Sequence, residues 1–382
     1  MNKKLFWIFA LSSAVYFTQG IEGLPSQGLF YYLKETLHFS PEKIMLISSI
    51  TISAWLVKPI IGYVIDNFLH KKAWIFIALL LDIISVLFLG LLSLPLVILI
   101  TMIILNSTDT AFRDVAVDGI MCIEGKKYNA TGRIQSIQWI SISIAGLLTG
   151  IGGGYIAEIW GYKGAFLSLI PIYILVGIPA FFYKEERTLE NKTSSTLFLD
   201  LKKLFAHKQL LIIGLFIFLY KYSPSFGTPL FFIQRDTFKW GKIWIGALGT
   251  ISTVFAIIGS LVYYKVSTKI KIKKWLYISV FLGALTSLSY LYYTPATAII
   301  YDVLYSLIGM FIFLMVMDFM ARKTVPGLEA TSFALLCSIS NLALVTGNLS
   351  GAFLLPIVGL KWLIVLSALT SFFCLPLINK IE

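Results

Sequence analysis

The chain has 382 residues, 58% of them hydrophobic and 13% charged, with a mean hydropathy of +0.86 and a net charge of +12. A soluble domain carries about 25% charged residues, so this composition excludes an ordinary soluble protein, a disordered chain and a nucleic-acid binder. In a membrane protein, the positive excess is what cytoplasmic loops require.

A membrane-crossing helix needs about 20 apolar residues. In chain order, apolar segments run at about 5–30, 43–66, 73–93, 94–119, 133–157, 164–183, 209–233, 241–265, 274–293, 295–321, 328–355 and 359–379, twelve in all. The first follows Lys3 and Lys4 as a signal peptide would, but no small-residue cleavage site follows it, so it reads as the first membrane helix. Segment two carries Lys58 near mid-depth and Asp66 at its inner end, and segment three carries Asp82. Segment four is the richest, with Asp109, Arg113, Asp114 and Asp118. Segment five holds Gly146, Gly150 and Gly154, a spacing that suits close helix packing. The long polar stretch from Lys184 to Lys208 reads as a linker, ending in an amphipathic piece with Leu197, Phe198, Leu201, Leu204 and Phe205 on one side. Segment seven places Lys221 at its centre, and segment ten carries Asp302, Asp318 and Arg322.

The expected organisation is a six-helix bundle over 1–183, a cytoplasmic linker over 184–208 and a second six-helix bundle over 209–382. With the amino terminus inside, the inner segments hold 21 Lys and Arg and the outer loops 7, a bias that places both termini in the cytoplasm. The halves echo each other: aligning Thr149–Gly150 of AGLLTGIGGG (Ala145 to Gly154) with Thr346–Gly347 of ALVTGNLSGA (Ala343 to Ala352) gives an offset of 197 residues. The expected fold class is therefore an all-α membrane protein of twelve transmembrane helices in two bundles, resembling the major facilitator superfamily.

Ionisable groups within membrane helices are costly and mark functional sites by default. Glu22, Asp109, Arg113, Lys221, Asp302 and Asp318 fall on the helices that line the path in a two-half transporter. Lys221 and Arg113 suit an anionic group of a solute, and Asp109 or Glu22 an amino-substituted heterocycle or a coupling proton. A structural alternative stands beside each: Asp109 and Arg113, four residues apart, are placed to neutralise each other, and Asp66, Asp118, Asp318 and Arg322 to form salt bridges near the inner surface. Lys221 has no acidic neighbour on its own helix. Pro25, Pro59, Pro224 and Pro229 are expected to kink helices, and Tyr16, Trp55, Trp139 and Tyr220 lie at depths where a ring could stack. His38, His70 and His207 fall outside the segments' interiors, Cys122, Cys337 and Cys374 match no metal or redox spacing, and no nucleotide-binding motif is present. The expectation is a transporter without catalytic residues, metal or cofactor, driven by a gradient or passive.

Several stretches resemble a particular family. GYVIDNFLHKK (Gly62 to Lys72) is similar to the superfamily's loop signature after helix two, with Asn67 where an Arg is usual. YFTQGIEGL (Tyr16 to Leu24), AWLVKPIIGYVID (Ala54 to Asp66), FRDVAVDGIM (Phe112 to Met121), GRIQSIQW (Gly132 to Trp139) and VPGLEATSFALLCSISN (Val325 to Asn341) resemble the folate–biopterin transporters. That resemblance implies proton-linked or exchange transport of folates, pterins or S-adenosylmethionine by a monomer in the inner membrane. It implies roles in solute binding for Lys58, Gln135 and Trp139, and in gating or proton coupling for Asp66, Asp114 and Asp118, with Asp302 and Asp318 as further candidates. Lys221 and Arg113 depart from the pattern and add positive charge to the path. The alternatives are another anionic metabolite, such as a nucleotide-like cofactor or a cell-wall peptide, or a scaffold or sensor that does not transport.

Overall fold

The computed structural model describes residues 3–39, 47, 55, 57–186, 202, 204, 206–240 and 242–381. Most of the first part of segment two and the amphipathic end of the linker lie outside the described residues. Every regular element described is helical. The first half runs α1 (Lys3–Ile21), α2 (Leu24–Tyr31), α3 (Lys58–Asn67), α4 (Lys71–Leu91), α5 (Leu96–Lys127), α6 (Thr131–Leu167) and α7 (Ile170–Phe182). The second runs α8 (Lys208–Lys221), α9 (Gly227–Phe232), α10 (Lys242–Val266), α11 (Ile272–Ser289), α12 (Pro295–Arg322), α13 (Glu329–Thr370) and α14 (Leu375–Ile378).

Among the described residues, seven helical stretches are long and apolar enough to cross a membrane. The longest, Glu329–Ile378, has 50 residues, about 75 Å at 1.5 Å per residue, more than twice the roughly 30 Å hydrocarbon core. It is two crossings joined at Gly359, whose φ of 72° and ψ of 167° only glycine adopts readily. Gly161, with φ 61° and ψ −170°, makes the same turn inside α6. A Cβ at either position would meet open space, so backbone conformation alone selects glycine. These turns produce the boundaries between segments five and six and between eleven and twelve.

The structure reveals a second internal repeat. PSQGLFYYLKETLHF (Pro25 to Phe39) matches PSFGTPLFFIQRDTFKW (Pro224 to Trp240) with a two-residue insertion. Both stretches follow a break in a membrane helix and end in a π-turn, over Tyr32–Thr36 and Ile233–Thr237. Each is closed by a left-handed residue, His38 at φ 52° and Lys239 at φ 57°. The closing bonds are also the same, Phe39 N–H to Leu33 O and Trp240 N–H to Gln234 O, both at 3.0 Å. Two of the four prolines start helices instead of kinking them: Pro25 and Pro59 occupy the first turns of α2 and α3, where a missing N–H costs nothing, while Pro224 lies in the irregular stretch between α8 and α9.

The chain forms two compact units: residues 1–197 with 324–334, and residues 198–323 with 335–382. The short segment 324–334, which the sequence places in the second half, thus packs with the first. In the first unit α1 packs along α6, where a Cβ on Gly20 would lie 2.6 Å from Ala145 Cβ and 2.7 Å from Ile142 O. The tight contact is therefore at Gly20; the close packing expected of Gly146 is not found, because its Cβ position is open. Outward faces carry bare aliphatic and aromatic side chains, among them Leu80, Leu91, Phe181, Phe281, Leu285 and Phe353. That much exposed apolar surface suits lipid and not water.

Candidate functional site

The first unit is anchored at one end by mutual capping of helix termini. The Glu185 carboxylate accepts the Lys71 and Lys72 backbone N–H groups at 3.1 and 2.9 Å, satisfying the first turn of α4. Lys72 Nζ donates to the Phe181 and Tyr183 carbonyls at the end of α7. Each charge sits where the helix dipole favours its sign. Glu186, bridged by Lys127 at 2.7 Å and Lys4 at 3.1 Å, has its carboxyl held below the usual range by those two ammonium groups. On the same unit, Asp66 accepts from four donors: Lys71 Nζ at 2.8 Å, Ala330 N–H at 3.3 Å, and both Thr331 N–H and Oγ1 at 2.7 Å. Asp66 therefore caps the start of α13 through segment 324–334. The approach is close enough that a Cβ on Gly62 would lie 2.8 Å from Thr331 Cα.

Two buried charge clusters lie deeper. Asp82 and Arg113 are 0% and 1% exposed, and Asp82 Oδ2 lies 2.9 Å from Arg113 Nε. Glu22, at the junction of α1 and α2, pairs with Arg113 Nη2 and accepts from Thr110 Oγ1 at 2.9 Å. Asn106 donates to Asp82 at 3.0 Å, and the Arg113 guanidinium lies 5.1 Å from the Tyr173 ring centre. Asp109 is buried close by. At the next residue of α5, Asp114 pairs with Lys58 at 2.6 Å, and the Lys58 ammonium lies 4.5 Å over the Trp55 ring. Asp118 accepts from Tyr16 Oη at 2.9 Å and Gln138 at 3.2 Å, and Tyr16 meets the Trp139 ring edge-on. Gln135 is fully buried and donates to Met121 sulfur at 3.7 Å.

Arg113 therefore does not neutralise Asp109, its neighbour in sequence; its partners come from two other helices. Nor does it present the open cationic surface that an incoming anion would need. A polar stripe on α5, Asn106, Thr110 and Arg113 at spacings of four and three, is the sequence signal that marks this face. A cavity of about 650 Å³ opens beside the cluster, lined by Gln19, Glu22, Ser26, Trp55, Asn106 and Thr110 among others.

In the second unit Lys221 is the last residue of α8, where free helix carbonyls favour a cation. Its ammonium lies 5.1 Å from the centre of the Phe313 ring. Among the described residues it has no acidic partner. It lines a cavity of about 260 Å³ with Tyr220, Ser279, Thr286, Tyr305 and Ser371. The matched Pro-Ser-x-Gly breaks place Lys221 at the position that Glu22 holds in the first half, each three residues before its proline. Asp318, fully buried, is held by Arg322 Nε and Nη2 at 2.9 and 2.8 Å and by Tyr263 Oη at 2.7 Å. Asp302 is half-buried on α12 beside a group of tyrosines in ring contact, Tyr290, Tyr301 and Tyr305.

Solved structures share this fold. The Escherichia coli fucose:proton symporter FucP superposes with a TM-score of 0.76 over 98% of each chain at 12% identity. The human organic anion transporter MFSD10 gives 0.71 over 99% of each chain at 14% identity. The fold is that of solved major facilitator superfamily transporters. Curated relatives include the folate-biopterin transporter of Synechocystis, 25% identical over 88% of this chain and 72% of that one. Folate transporter 1 of Plasmodium falciparum is 24% identical over 87% and 69%, and probable folate-biopterin transporter 2 of Arabidopsis thaliana 23% over 96% and 81%. The BT1 family profile matches residues 19–381: the chain belongs to the BT1 family.

Proposed function

We propose that the protein moves a folate- or pterin-like anion across the cytoplasmic membrane by alternating access, with a proton as the coupling ion. The observation that carries the reading is Lys221, a cation within a membrane bundle that faces a cavity and has no acidic partner among the described residues. A charge in that setting is kept for a ligand more readily than for stability. The names of the relatives supply the chemical class.

A cavity of about 650 Å³ falls within the roughly 300–1,000 Å³ typical of small-molecule sites. Its amide and hydroxyl groups (Gln19, Asn106, Thr110) suit the hydrogen-bonding edge of a pterin, and Trp55 offers a ring face. In the second unit, the cavity of about 260 Å³ at Lys221 offers a cation that suits an anionic group. Arg113 positions Glu22 and Asp82 in this reading instead of meeting the solute. Lys58 with Asp114, and Asp118 with Gln138, Tyr16 and Trp139, brace the cavity from below, and Gln135 packs behind them. Asp66 acts in gating through its cap on α13, Asp318 with Arg322 fastens the inner end of α12, and Asp302 stands at its outer end. The 21-to-7 distribution of basic residues supports cytoplasmic termini, and the protein works as a monomer.

Uptake of labelled 5-formyltetrahydrofolate into proteoliposomes, competed in turn by biopterin, S-adenosylmethionine and a muropeptide, tests the substrate class. The reading expects competition by biopterin. Uptake blocked only by one of the other two would replace the substrate, and no uptake by correctly inserted protein would refute the reading.

A further inference from the structure

The cluster around Arg113 contains more acid than base. Glu22 from the α1–α2 junction, Asp82 from α4 and Asp109 from α5 surround one guanidinium. Glu22 and Asp82 are committed to it and to Thr110 and Asn106. Asp109 is 7% exposed, and among the described residues its carboxyl makes neither a hydrogen bond nor an ion pair. Among the described residues no other element brings a second cation: α7 contributes Tyr173, whose ring faces the guanidinium, and Lys58 is taken by Asp114. Three like charges around one arginine in a medium of low dielectric cannot all stay ionised. Among the described residues no three carboxylate, His or Cys groups are arranged to hold a metal ion, which leaves a proton.

We infer that this cluster binds one exchangeable proton, seated on Asp109, and that this is the coupling proton. Its role in coupling rests on the transport reading above; its existence does not. Among the described residues, Arg113 Nη1 is buried without an acceptor. With Asp109 neutral, the guanidinium stays with Glu22 and Asp82. When Asp109 gives up its proton to water, its carboxylate becomes the acceptor for Nη1 and competes for the guanidinium. Glu22, a wall of the larger cavity, is then loosened from Arg113 and changes what that cavity offers a solute. A proton at one residue thereby alters the binding wall at another without a large movement of either helix.

The test has two readouts. Infrared difference spectra of solute-free protein across a pH titration should show the carbonyl stretch of a protonated carboxylic acid, shifted in heavy water. That band should vanish in Asp109→Asn, return in Asp109→Glu and survive in Glu22→Gln. In proteoliposomes, Asp109→Asn should lose stimulation of uptake by an inward proton gradient. A band that persists in Asp109→Asn, or vanishes in Glu22→Gln or Asp82→Asn instead, would overturn the assignment, as would a wild type with no such band at any pH. If the band behaves as expected while no folate or pterin is taken up, the proton site stands and the substrate reading falls.

Discussion

Asp66→Asn should loosen the start of α13 from the first unit. The carboxylate is 0% exposed and accepts from the Ala330 and Thr331 N–H groups, the Thr331 hydroxyl and Lys71, itself 1% exposed. Asparagine keeps one acceptor oxygen but leaves the Lys71 ammonium buried without its counter-ion. Breaking a buried pair from one side costs about 3–5 kcal/mol. At about 1.4 kcal/mol per factor of ten, the Ala330 and Thr331 amides should exchange between about a hundredfold and a few thousandfold faster. Hydrogen exchange read by mass spectrometry on peptides covering 324–334 measures this in detergent or nanodiscs. Adding Lys71→Met removes the stranded charge and should restore part of the protection, the signature of coupled residues. Exchange in Asp66→Asn within about threefold of wild type would refute the reasoning, because the cap would then contribute little.

Replacing Gly161 or Gly359 with alanine should cost about 1–3 kcal/mol each by forcing a side chain into a region only glycine visits; unchanged thermal unfolding would count against the turns. Gly20→Val should destabilise by about 1–3 kcal/mol through overpacking against Ala145 and Ile142, and wild-type melting would show that α1 and α6 are not in that contact. The Glu186 carboxyl, depressed by Lys127 and Lys4, contributes stability that is complete above its unfolded pKa and is lost as pH falls through its folded pKa. Salt near 1 M should raise that folded pKa toward the ordinary value by screening, and a salt-independent titration would contradict the pairing.

Much of the fold is legible because a membrane helix must be a long apolar run, so α4, α5, α10 and α12 stand out directly. The breaks are less so. Gly161 and Gly359 are two glycines among 28, and only the backbone angle distinguishes them from glycines inside helices. The repeat from Pro25 and Pro224 hides behind a two-residue insertion and behind substitutions such as Leu37 for Phe238, which preserve size and polarity but not identity. Asp318 with Arg322, four residues apart on one helix, was legible as a pair; the other buried charges named above were legible as groups without their partners. Asp109 lies one turn from Arg113, but the residues that hold the guanidinium are 91 and 31 positions away in sequence, Glu22 and Asp82, so tertiary packing overrides the local pairing. Lys58 with Asp114 is another such case. Lys221 was legible as a cation without a local partner, because nothing acidic lies near it on its own helix.

The most direct test of the transport account is gradient-driven uptake of labelled 5-formyltetrahydrofolate into proteoliposomes by wild type and Lys221→Ala side by side. The account predicts accumulation by wild type that rises with an inward proton gradient, and its loss in Lys221→Ala while the variant remains folded and inserted. Accumulation by Lys221→Ala at the wild-type level would contradict the claim that this lysine receives the anion.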